Sequence, residues 1–208
     1  MGDSLKCINE DELNTGDILL FRGDSNDSLV DKLIEDVTDS VYEHAAIIVR
    51  DPWWIGLTGL FALESSSGAL SIQNEDTQER QKGVQLQPFT YFKNTRKWVD
   101  ARKLSGVDIK SESFKKRFGL IHLRVHNKPY NSDICDWIKT GMRILCGKRC
   151  CPPPKKTDKK FWCSALVAYI YVEMGWMEDI DWSDITPADL SKMNAKSPAK
   201  LGEIVRVI

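Results

Sequence analysis

The chain has 208 residues, 42% of them hydrophobic and 28% charged, an ordinary globular composition sufficient for a substantial core, and residues 1–208 are expected to form a single domain. Its 29 basic and 30 acidic residues leave a net charge of -1, so bulk electrostatics give no drive toward nucleic acid, which is not an expected partner. No apolar run approaches the ~20 residues that span a bilayer, and MGDSLKCINEDEL at the start holds no stretch of signal-peptide length; the expectation is a cytoplasmic protein without a transmembrane segment, its cysteines reduced.

GDILLF, ending at Phe21, reads as the first strand. In DSNDSLVDKLIEDV, apolar residues at 29, 30, 33, 34 and 37 predict an amphipathic helix that covers the sheet. VYEHAAIIV follows, and its AAIIV run reads as a buried strand with His44 as the polar side chain near its centre. Tyr42, two residues earlier, is expected on the same face, where its hydroxyl would meet substrate or an oxyanion.

The apolar loop PWWIGLTG carries Trp53 and Trp54, which suit either a lipid or partner contact or a clamp onto the core. LFALES then reads as a second strand, with Glu64 where an apolar residue would be the bland choice. A hairpin centred on Trp54 places His44 directly opposite Glu64, with Cβ atoms about 5 Å apart. A slip of one residue would put them on opposite faces.

The polar stretch from Ser71 to Gly83 reads as a loop, and 109 to 126 as a helix. His122 and His126 lie four apart on that helix, but HLRVH lacks the Glu of the zinc-protease motif, so no metal and no cofactor is expected. A further helix is predicted over 132 to 145, with Trp137, Ile138, Met142 and Leu145 on one side. Cys146, Cys150 and Cys151 match no usual zinc spacing; incidental cysteines are the preferred reading, with lipid attachment at CCPPPKK as the alternative.

From Cys163 onward, apolar residues at 163, 166, 167, 170, 171 and 174 have the one-face spacing of a helix, with Gly175 as its stop. Cys163 then sits in the first turn, where unpaired amides and the helix dipole favour a thiolate. A thiol at a helix start, an imidazole and a carboxylate are the parts of a nucleophile, base and orienter set. Strands flanking a helix-rich middle make the class α+β.

The order GDILLF, EHAAIIV, LES and finally FWCSALVAYIY resembles the circularly permuted NlpC-type papain-like hydrolases, in particular the YiiX-like group. VQLQPF, a strand at KWVDARKL, NKPYN ahead of a helix, TPADLS and a final strand EIVRVI also look like that group. The resemblance implies a permuted papain-like fold, a small antiparallel sheet packed against a helix carrying the nucleophile. It implies Cys163 as nucleophile, His44 as base and Glu64 as orienting partner. The bulky Trp162 before the nucleophile, the apolar loop insert and CCPPPKK depart from the pattern and bear on specificity; Trp162 and Tyr42 are the candidate substrate contacts.

The chain is also distantly similar to the lecithin retinol acyltransferase group, without its Asn-Cys-Glu-His signature. Three functions follow as expectations. The first is a cysteine hydrolase acting on a peptide, isopeptide or ester bond through an acyl-enzyme. The others are a thiol acyltransferase or lipase on lipid acyl groups, and an inactive binding module in which Trp162 covers the thiol.

Overall fold

The computed structural model describes residues 5–23, 40–68, 73–132 and 158–208. The helix expected in DSNDSLVDKLIEDV, that expected over 132 to 145 (apart from its first residue), and Cys146, Cys150 and Cys151 lie outside the described residues.

Six strands form one antiparallel sheet: β1 (Ile18–Arg22), β2 (Tyr42–Arg50), β3 (Leu60–Ser66), β4 (Gly83–Pro88), β5 (Val99–Ser105) and β6 (Lys200–Arg206), in the order β4-β3-β2-β1-β5-β6. Four helices accompany it among the described residues: α1 (Phe89–Thr95), α2 (Glu112–Val125), α3 (Cys163–Met174) and α4 (Pro187–Lys192). The class is therefore α+β.

Strand alternation feeds two apolar layers. Ile18, Leu20, Ala45, Ile47, Val49, Leu63 and Leu86 pack toward α2 and α3, whereas Leu19, Phe21, Ala46, Ile48, Ala62 and Val99 pack with Phe89 and Phe92 of α1. Each of the Ile, Leu, Val and Phe side chains withdrawn from water contributes about 1.5–3 kcal/mol before the entropy of ordering it is subtracted.

Helix α3 departs from the one-face expectation, because every residue but Val172 and Glu173 is buried. It runs through the middle of the fold, against β2 and β3 on one side and α2, α4 and the 3-10 turn Trp182–Asp184 on others. A helix enclosed this way needs apolar residues around its circumference. Its end does follow the sequence: Gly175 is left-handed (φ 77°), and its N–H bonds back to the last turn.

The Trp53 and Trp54 loop is clamped inward. Trp53 meets Phe114 and Phe118 at ring-centroid separations of 6.3 and 5.8 Å, and Trp54 stacks on Phe118 at 5.9 Å and on His122 at 4.3 Å. Beyond β3, the segment before β4 runs along that strand's outer edge, where Glu75 N–H donates to the Leu86 carbonyl (3.0 Å) and Leu86 N–H donates to Asn74 Oδ1 (2.9 Å). The loop expected there thus covers a sheet edge that would otherwise be open.

Candidate active site

The β2–β3 hairpin sets the site, and its register corrects the expected one. Ala46, not His44, lies opposite Glu64, so the hairpin is centred one residue later than Trp54. The cause is the way the loop closes: Asp51 N–H donates to the Gly59 carbonyl at 2.8 Å, and Gly59 N–H donates to Asp51 Oδ1 at 2.7 Å. Both residues have positive φ, 48° and 121°. A shift of two positions keeps His44 and Glu64 on one face but makes them diagonal neighbours, still within reach of long side chains.

The diagonal closes at 2.6 Å, with His44 Nε2 donating to Glu64 Oε2. Glu64 is buried, and its other oxygen accepts from Gln85 Nε2 at 2.9 Å. Both carboxylate oxygens are satisfied, as a buried charge requires. Gln85 lies directly across from Glu64 on β4, a partner that sequence reading missed; a polar residue inside the apolar VQLQPF strand was the available signal.

Cys163 opens α3, as expected, after an extended Trp162 at the N-cap. The approach is tied down from two sides. The Phe161 carbonyl accepts from Ser65 Oγ at 2.7 Å and from Asn131 N–H at 3.0 Å, and Ser164 Oγ donates to the Ile185 carbonyl at 2.7 Å. The first bond inside the helix runs from Leu166 N–H to the Trp162 carbonyl (3.1 Å), so the amides of residues 163–165 have no partner within the helix.

The sulfur and imidazole face each other closely enough for each to favour the other's charged form, and the backbone amides of Ala45 and Ser164 also favour a charged sulfur. Because Nε2 is held by Glu64, Nδ1 is the nitrogen that serves the thiol. Burial opposes both charges. The facing His44 nevertheless holds the Cys163 thiol below its ordinary range, and the facing Cys163, with Glu64 behind, lifts His44 to about 10. Both shifts act in the direction of a thiolate–imidazolium pair. Cys163 is 5% exposed, while the His44 side chain keeps 14%, so the pair lies just under the surface.

No protein-family model matches the chain, and no curated protein matches it. Among solved structures, the metalloprotein YiiX from Escherichia coli O157:H7 aligns over 93% of this chain and 88% of its own at TM-score 0.50 and 18% sequence identity. The fold is YiiX-like.

Within this YiiX-like fold the remaining candidates fall elsewhere. Tyr42 does not share the face of His44, because the strand bulges between the pairs Phe21↔His44 and Arg22↔Tyr42. The extra residue, Glu43, turns with His44 toward Phe21 and pairs with Arg96 at 2.7 Å, while Tyr42 passes to the layer that holds Ala45 and Ile47. Its hydroxyl donates to Asp100 Oδ2 at 2.8 Å, beside Arg22, and burial followed by Asp100 pushes its pKa up to about 12. Trp162 is 4% exposed and belongs to the apolar layer around α3. His122, in the last turn of α2, and His126, at its C-cap, both meet Asp76 from the β4-edge segment.

Proposed function

We propose that the chain is a cysteine hydrolase that cleaves a peptide, isopeptide or ester bond through a Cys163–His44–Glu64 triad in a permuted papain-like fold. The observation that supports this best is the 2.6 Å contact from His44 Nε2 to Glu64 Oε2, which aims the other ring nitrogen at a sulfur with a depressed pKa.

In the proposed reaction the Cys163 thiolate attacks the carbonyl carbon, and the carbonyl electron pair moves to oxygen. Amides at the start of α3, that of Cys163 first, are positioned to receive this oxyanion. The tetrahedral intermediate collapses, the bond to the leaving nitrogen or oxygen breaks, and His44 Nδ1–H protonates that atom. The now neutral imidazole takes a proton from water, whose oxygen attacks the thioester, and the acid product leaves as the thiolate–imidazolium pair re-forms. Glu64 holds the ring orientation throughout and stabilises its charged form.

YiiX is described as a metalloprotein. The grouped donors that this chain offers to a cation, Asp76, His122 and His126, stand on elements other than β2, β3 and α3, which carry the proposed triad.

Mass spectrometry of Cys163 after incubation with thioester, ester and peptide libraries tests the proposal, followed by product analysis with an amine or alcohol present. A hydrolase gives an acyl adduct on Cys163, free acid in excess over acylated acceptor, and no turnover in Cys163→Ala. Acylated acceptor in excess would make the chain an acyltransferase, and no adduct with any donor would leave a binding module.

A further inference from the structure

His122 lies in the last turn of α2 and His126 caps its C-terminus, with the two ring centroids 5.6 Å apart. The turn at residues 75–77 brings Asp76 up to both rings. Asp76 Oδ2 lies 2.8 Å from His122 Nε2 and 2.7 Å from His126 Nδ1. These three residues each offer a ligand atom, all within 4.8 Å of one another, and are the one such group among the described residues.

We propose that Asp76, His122 and His126 bind a divalent transition-metal cation of the zinc class, through the Asp76 carboxylate, His122 Nε2 and His126 Nδ1, with a fourth position open to water. Two imidazoles and one carboxylate suit such a cation and offer too few oxygens for calcium or magnesium. Ligands about 2.1 Å from a tetrahedral ion stand about 3.4 Å apart. The donors must therefore spread by about 0.6 Å, a distance that a rotation of the Asp76 side chain on its turn supplies.

In the closed arrangement each imidazole donates an N–H to the carboxylate, and cation binding replaces those two hydrogen bonds with coordination. Each ring must then carry its proton on the other nitrogen. For His122 that atom is Nδ1, which is buried without a hydrogen-bond partner, so nothing pins the tautomer seen in the closed cluster. The His126 ring is 36% exposed, which puts the open position on the solvent side.

The placement gives the cation a structural consequence. Asp76 belongs to the segment that covers the β4 edge, and α2 packs on the sheet layer that holds α3, so coordination would fasten edge to helix.

Cobalt(II) titration of the chelator-treated full chain tests the site, followed by visible absorption. The expected result is one equivalent bound with d–d bands of nitrogen and oxygen ligation and no thiolate-to-metal charge-transfer band. Affinity should fall at least about tenfold in His126→Gln and in Asp76→Asn while remaining unchanged in Cys163→Ala. His126→Gln alters a partly exposed ring, and circular dichroism establishes that it folds. Absent binding, unchanged affinity in a folded His126→Gln, or a charge-transfer band lost with a cysteine would each overturn the proposal. Because Cys163→Ala keeps the site but lacks the nucleophile, failure of the metal site and failure of the hydrolase reading are read separately.

Discussion

Glu64 reaches His44 on a diagonal of the sheet: Ala46 occupies the position across from the carboxylate, yet Oε2 lies 2.6 Å from the imidazole Nε2. The diagonal holds because Glu64 is fixed from its other side by Gln85, so the ring meets an acceptor already in place.

Gln85 is accordingly predicted to be a positioning residue. Gln85→Leu removes the donor to Glu64 Oε1 and should lower kcat on a Cys163-dependent substrate about tenfold, near the value of one hydrogen bond to a charged group. Glu64→Gln should cost about 100-fold, less than Cys163→Ala, because an amide oxygen still accepts from His44. If Gln85→Leu changes stability but leaves kcat and its pH profile untouched, Gln85 has a packing role only.

The thiolate–imidazolium pair should appear in reactivity. A free cysteine titrates near about 8.5, whereas His44 holds Cys163 lower. The rate of Cys163 alkylation by iodoacetamide, followed by peptide mass spectrometry, should therefore reach its plateau at lower pH than that of free cysteine. In His44→Ala the stabilising charge is gone, and the profile should move to higher pH. Coincident profiles for the two proteins would contradict the pairing.

Ser65 anchors the residue two positions before Cys163, through Oγ to the Phe161 carbonyl at 2.7 Å. Ser65→Ala leaves that buried carbonyl with Asn131 N–H as its remaining named donor and should cost about 1 kcal/mol in urea unfolding. It should also reduce the Cys163 alkylation rate at neutral pH, because the start of α3 is less well held. An unchanged rate with the expected loss of stability would separate anchoring from reactivity.

Asp17 gives a pH signature of the fold. It is fully buried, and burial raises its pKa to about 6 against the pull of amide donors at Asn14 and Leu104. A folded pKa above the unfolded value stabilises fully below the unfolded pKa, near about 3.9, and that contribution is lost as pH rises through about 6. The shift corresponds to about 3 kcal/mol at most. Asp17→Asn cannot titrate, so its deficit relative to wild type in urea unfolding should be larger at acid pH than at neutral pH; equal deficits would refute the assignment.

Much of the local structure was legible in the residues. The strands around Ile47 and Leu63 follow from β-branched and aliphatic runs, α2 from its periodicity, and the end of α3 from Gly175, since each depends on neighbours a few positions apart. The residue types at the candidate site were legible for the same reason, as Cys163, His44 and Glu64 each interrupt or open an apolar segment.

Only the tertiary structure decided how these pieces meet. The hairpin register was set by closure between Asp51 and Gly59, and the face of Tyr42 by one extra residue opposite β1. Both are single-residue events, and a period-two pattern carries no information about where it is interrupted. Burial around all of α3, Gln85 behind Glu64 and Asp76 beside the α2 histidines require chain segments far apart in sequence to pack together. That packing depends on the shape and volume of the whole interior, whereas the amino-acid pattern of any one segment reports only which of its own faces avoids water.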